Sequence, residues 1–109
     1  MAKDYILLPE KDSLGSVALS KGVFSSIARN VIEEAEEVQL AEQGSPFRGG
    51  ITTKIEDNHL ALSIPVKVAY NANVTDVCAR VQNRIFESIS YMTDYRPDVI
   101  QIEVVGFVF

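Results

Sequence analysis

The stretch "ITTKIEDNHLALSIPVKVAY", residues 51–70, decides how this chain folds. Ile51, Thr53 and Ile55 alternate with Thr52, Lys54 and Glu56, and Leu60, Leu62, Ile64, Val66, Val68 and Tyr70 then take every second position. A period of two sets those side chains on one face of an extended chain, the pattern of a strand with one buried side. Between the two runs, Asp57-Asn58-His59 supplies short polar side chains that tolerate left-handed backbone, so the spacing predicts a β-hairpin. Pro65 complicates the second strand. Proline has no amide to give to a ladder, so that strand is expected at a sheet edge or with a bulge.

Working outward, a helical period lies on each side of the hairpin. Upstream, Val23, Phe24, Ile27, Ala28, Val31, Ile32 and Ala35 form one apolar stripe behind the N-cap residue Ser20, predicting a first helix over about 20–38. Residues 39–50 then read as loop. Downstream, Asn73 and Asp76 resemble a capping box, and Val74, Val77, Cys78, Val81, Ile85, Ile89 and Met92 recur at helical spacing. This predicts a second helix over about 74–93. Tyr95-Arg96-Pro97-Asp98 ends it, because the residue before a proline is pushed out of the helical region. A brief strand from Gly15 to Leu19 and a last strand from Val99 to Val105 complete the order β-α-β-β-α-β. Two amphipathic helices need one sheet face to cover, so the expected class is α+β: a two-layer sandwich with both helices on one face of a mostly antiparallel sheet, in ferredoxin-like connectivity. Residues 1–14 are expected to be an N-terminal arm or short strand, around Tyr5-Ile6-Leu7-Leu8, and residues 15–109 a single domain.

Composition narrows the function. The chain has 109 residues, 47% hydrophobic and 23% charged, with a formal net charge of −5. An acidic balance disfavours nucleic acid, whose binding rests on neutralising phosphates with Lys and Arg, and disfavours anionic lipid for the same reason. No apolar run approaches the ~20 residues that span a bilayer, so no direct membrane insertion is expected. The opening Met-Ala-Lys-Asp lacks the apolar stretch of a secretory signal, which leads to a cytoplasmic expectation. One cysteine, Cys78, excludes an internal disulfide, and one histidine, His59, excludes a two-histidine metal site within the chain. Cys78 falls on an apolar helix stripe and reads as a small buried hydrophobe. No catalytic set, no metal site and no cofactor is expected.

The chain also resembles a known family. "GSVALSKGVFSSIARNVIEEAEEV", then a glycine before "ITTKIEDNHLALSIPVKVAYNANVTDVCARVQNRIFESISYMTD", then "IQIEVVGFVF" together are similar to the alkaline-shock family of bacterial envelope stress response proteins. A Gly-led strand enters a first helix, and a glycine-rich loop precedes a long alternating strand. A helix opening with Asn and Val then ends near Met92-Thr93, and Ile102 to Phe107 match the family's closing strand. The resemblance covers roughly residues 15–107; family members typically carry longer, charged tails, and this chain is expected to be a small, tail-less member. The resemblance implies a non-enzymatic scaffold or adaptor that self-associates, sits near the cytoplasmic membrane through a membrane-anchored protein partner, and brings no catalytic residues. The alternative from another class is a small-molecule-binding regulatory domain on a ferredoxin-like sandwich, which rests on fold analogy alone.

Three sets of residues are candidates for contact. The loop "GSPFRGGIT", residues 44–52, has a helix before it and a strand after it, the reverse of a phosphate-binding loop. It reads as a joint in which Gly49-Gly50 lead into the strand, with Arg48 as a candidate partner contact. Glu33, Glu34, Glu36, Glu37 and Glu42 crowd the end of the first helix, where the helix dipole favours cations. They form a solvated face or an acidic patch for a basic partner. On the second helix, Asp76 with Arg80 and Arg84 with Glu87 stand at ordinary surface-pair spacing. The sheet face opposite the core carries Ala61, Ser63, Pro65, Lys67 and Ala69, joined by Val99, Gln101, Glu103, Val105 and, if the strand stays extended, Phe107 and Phe109. That face is flat and thinly charged. Pro65, Lys67, Val99, Val105, Phe107 and Phe109 are its candidate interface residues in a homo-oligomer.

Overall fold

The computed structural model describes residues 2–9, 14–41 and 50–109. In chain order its elements are β1 (Ala2–Lys3), β2 (Tyr5–Leu7), β3 (Ala18–Ser20), α1 (Lys21–Glu34), β4 (Val38–Leu40), β5 (Thr52–Glu56), β6 (His59–Ala69), α2 (Val74–Thr93) and β7 (Val99–Val108). The class is α+β, with antiparallel pairings everywhere except between β6 and β7.

The hairpin stands where the alternation placed it. β5 and β6 pair antiparallel from Thr52 opposite Ser63 to Glu56 opposite His59. Asp57 and Asn58 make the turn with φ of 50° and 63°, the left-handed pair that matches the twist of the two strands. Leu60, Leu62, Ile64, Val66 and Val68 are all fully buried. They form one cluster with Phe24, Ile27, Ala28, Val31 and Ile32 of α1 and Val77, Val81, Ile85 and Ile89 of α2. α2 begins as read, with the Asn73 side chain accepting a bond from the Asp76 amide at 3.0 Å.

β6 is the centre of the sheet, not an edge, and this corrects the inference from Pro65. β5 pairs with residues 59–63 and β4 with residues 66–68, end to end along one side of β6, while β7 runs along the other. The Pro65 carbonyl accepts the Ala41 amide at 2.9 Å, so its main chain faces the β5/β4 side. The donor that proline lacks would have pointed at the end of β4, where that ladder stops. No bond to β7 is lost. The irregularity predicted for this strand falls on its neighbour: the register shifts between Val66 and Lys67, leaving Val105 of β7 as an extra residue.

Two further differences concern α1. It ends at Glu34 with Ala35 already extended, four residues short of the predicted end, and Val38 and Leu40 pair with Val68 and Val66. Val38 and Leu40 are two apart, the spacing of a strand, but so short a run is no signal by itself, and the open side of β6 recruits it. Upstream, the strand before α1 does not join the main sheet. β3 pairs with β2 in a separate ribbon, so the six-element order is not the order observed. Asn58 docks that ribbon: its Oδ1 accepts the Leu7 amide at 2.8 Å and its Nδ2 donates to the Leu7 carbonyl at 3.0 Å. Ile6 is thereby buried completely.

Two outcomes test this frame. Phe24 is fully buried and its ring lies 5.8 Å from that of Tyr95, so Phe24→Ala should cost about 3–5 kcal/mol in urea unfolding with an unchanged slope. Asn58→Gly keeps the turn conformation but deletes the amide. Hydrogen exchange should then show the Leu7 amide losing protection while the amides of β6 keep theirs.

Candidate interaction surface

The surface takes its shape from β7. Up to the irregularity, Ile100, Ile102 and Val104 stand beside Leu62, Ile64 and Val66 and share their core-facing side, while Val99, Gln101 and Glu103 share the outer side with Ala61, Ser63 and Pro65. Beyond it, Gly106 stands beside Lys67, Phe107 beside Val68 and Val108 beside Ala69. One extra residue in a period-two chain inverts every later side chain. Gly106 lies on the outer side next to Val105, where a Cβ would make only ordinary contact, 3.7 Å, with the Lys67 side chain.

The predicted interface residues therefore divide. Val99 and Val105 lie on the outer side, 50% and 46% exposed, with Lys67 exposed between the strands and Pro65 buried among its neighbours. Phe107 and Phe109 do not join them, which corrects the expectation for an unbroken strand. They turn to the side of Val68 and Tyr70, beyond the cover of the helices, 48% and 94% exposed. Phe109 stacks on Tyr70 with centroids 5.6 Å apart, an arrangement suited to aromatic rings at the end of a sheet. The sequence held a signal for the inversion, since two adjacent valines followed by glycine break the alternation where a bulge is expected.

The acidic candidates divide as well. Glu37 accepts a bond from Arg80 at 2.9 Å and Glu34 lies 3.6 Å from Arg84. The arginines of α2 thus reach across to the end of α1 and the segment just after it, at Glu34 and Glu37. As exposed pairs they contribute about 0.2–1 kcal/mol each at most. Glu33 and Glu36 instead border a cavity of about 620 Å³ with Arg29, Gln39 and Lys67. Arg48 and Glu42 lie outside the described residues; Gly50 is described, with φ of 65°, the left-handed turn expected of a glycine leading into β5.

One cluster had no sequence signal. Where β7 starts beside β6, Tyr95 donates its hydroxyl proton to Asp98 Oδ2 at 2.8 Å, and the Leu60 amide donates to Tyr95 Oη at 2.9 Å and to Asp98 Oδ2 at 3.1 Å. His59 Nδ1 lies 3.0 Å from Asp98 Oδ1. The residues come from positions up to 39 apart, so no local pattern announces them. Burial and then the bond to Asp98 push the Tyr95 phenol up to about 12. Partial burial alone would raise the Asp98 carboxyl, but the bonds from Tyr95, His59 and Leu60 outweigh it and hold it below the usual carboxylate range. Cys78 is half-buried on α2, and burial raises its thiol away from the reactive thiolate form.

These shifts set a pH dependence at both ends. A phenol raised in the folded state stabilises it below the ordinary tyrosine value near 10, and that stability is lost as pH rises towards about 12. A carboxyl lowered in the folded state contributes above roughly pH 4, and its share is lost as pH falls through the depressed value. In melts across pH, Tyr95→Phe should flatten the alkaline limb relative to the parent chain, and Asp98→Asn the acid limb.

No helix among the described residues is long and apolar enough to cross a membrane. Comparison with curated proteins finds no match, and comparison with solved structures finds none. The sequence model of the alkaline-shock family, described by a cell envelope-related function, matches residues 9–109. The match takes in both helices and every strand of the main sheet except β1, and this chain belongs to the alkaline-shock family.

Proposed function

We propose that this chain is a non-enzymatic scaffold or adaptor of the cell envelope, working at the cytoplasmic face of the membrane by self-association and by binding a membrane-anchored protein partner. Membership of the alkaline-shock family over residues 9–109 carries the envelope assignment. The surface supports action by contact: Val99, Val105, Phe107, Phe109 and Tyr70 are large apolar side chains held out on one strand and its neighbour, more than a freely solvated sheet needs. The polar cluster of Tyr95 and Asp98 is occupied in bonding the Leu60 amide and joining β7 to β6.

Sedimentation velocity across the micromolar range should show species heavier than the 12.0 kDa chain. Fractionation of host cells should place part of the protein with membranes, and protease treatment or loss of its captured partner should release it. A chain that stays monomeric and wholly in the soluble fraction would overturn the reading.

A further inference from the structure

β7 is an edge strand ten residues long, and its ladder shows which of its main-chain groups are free. The Tyr70 amide bonds the Val108 carbonyl at 3.0 Å, so the even-numbered residues of β6 face β7. In a parallel ladder each facing residue bonds the two positions flanking its partner. With Leu62 beside Ile100 and Ile64 beside Ile102, the main chains of Val99, Gln101 and Glu103 turn to β6, and those of Ile100, Ile102 and Val104 turn away. The Ile100 carbonyl on that outer edge accepts the Gln82 side-chain amide at 2.6 Å. Among the described residues, β7 pairs with β6 alone, so the edge from Ile102 onward has no strand beside it.

Such an edge is a template for another strand, and proteins commonly protect it with charge. This one carries a single charged residue, Glu103, along its length. The helix above it is also bare of charge on this side. Gln82 reaches β7, and Cys78 and Phe86, one turn to either side, share its flank by helical spacing, whereas Arg80 and Arg84 lie on the opposite flank and pair with Glu37 and Glu34. Strand edge and helix flank together form one continuous strip whose one charged residue is Glu103.

We infer that this strip pairs with the same strip of a second copy, β7 against β7 antiparallel, about a two-fold axis at Ile102. Charge and parity select the register. Outward-facing residues must oppose outward-facing residues, so even-numbered positions pair with even-numbered ones. An axis at Glu103 would set the two Glu103 carboxylates opposite each other, which is destabilising. An axis at Ile102 sets Gln101 opposite the partner's Glu103, twice by symmetry, so that an amide donates to each carboxylate on the outer side. On the helix side it sets Ile102 against Ile102 and Ile100 against Val104, aliphatic pairs that continue the core. Gln82 then acts as a cap on the free edge, giving up the Ile100 carbonyl to the incoming Val104 amide. This interface rests on the self-association proposed above and gives it a surface.

The test uses the full chain with Cys78→Ser, in two forms carrying Gln101→Cys or Glu103→Cys. Directly opposed positions on the outer side lie within disulfide reach. After mixing and mild oxidation, the two forms together should give disulfide-linked dimer several-fold faster than either form alone. A second variant, Val104→Pro, deletes an amide that points away from β6, so it should leave far-UV circular dichroism unchanged while sedimentation shows loss of the dimer. A chain that self-associates with no preference for the mixed pair, or whose association survives Val104→Pro, overturns this interface and leaves self-association standing. A chain monomeric at every concentration overturns both, and directs the β7 edge to an extended segment of a different protein.

Discussion

Everything in this fold depends on the need of one strand, β6, to satisfy its main chain on both sides at once. Its even-numbered residues bury their side chains and turn their amides and carbonyls to β7, and its odd-numbered residues turn theirs to β5 and then β4. Buried main-chain groups left unpaired are costly, so a central strand of eleven residues needs partners along both edges. That requirement draws residues 38–40 out of the end of a helix and into the sheet. It also explains how a proline sits at the centre, since Pro65 lacks its donor on the side and at the position where one partner has stopped.

The second constraint is the parallel crossover. A strand returning through α2 lands beside β6 in the same direction, and the polar cluster of Tyr95, Asp98 and the Leu60 amide fixes where it lands. The start of the ladder and the end of α2 are thereby held together by hydrogen bonds in a partly buried setting, where such bonds are stronger than in water. From that anchor β7 runs in register for six pairs and then gains one residue at Val105. The bulge splits the surface in two: an outer face with Val99 and Val105, and an aromatic end where Tyr70, Phe107 and Phe109 gather on the other side.

Much of this was legible in the residues. The hairpin, its left-handed turn, the capped second helix and the apolar stripe of the first all follow from period and from turn chemistry, which act over a few neighbouring positions. The family resemblance was legible too, through the same local patterns. Less of the surface was. Val99 and Val105 stand where alternation put them, but Phe107 and Phe109 are reversed by an inserted residue whose effect is felt only against a neighbouring strand. The acidic run at the end of α1 looked like a free patch, yet Glu34 and Glu37 meet arginines of α2 more than forty positions away.

By itself the sequence determined the β5–β6 hairpin, the body of both helices and the last strand, because propensity and side-chain period are local properties of the chain. It also determined which face of each helix and of β6 is buried. Only the tertiary structure decided that β6 is central, that residues 38–40 pair with it, that β3 leaves the sheet for a separate ribbon, and that β7 inverts at Val105. Each of those outcomes turns on which main-chain donors and acceptors are left unpaired once the neighbours are in place, and that is known only when the strands have met.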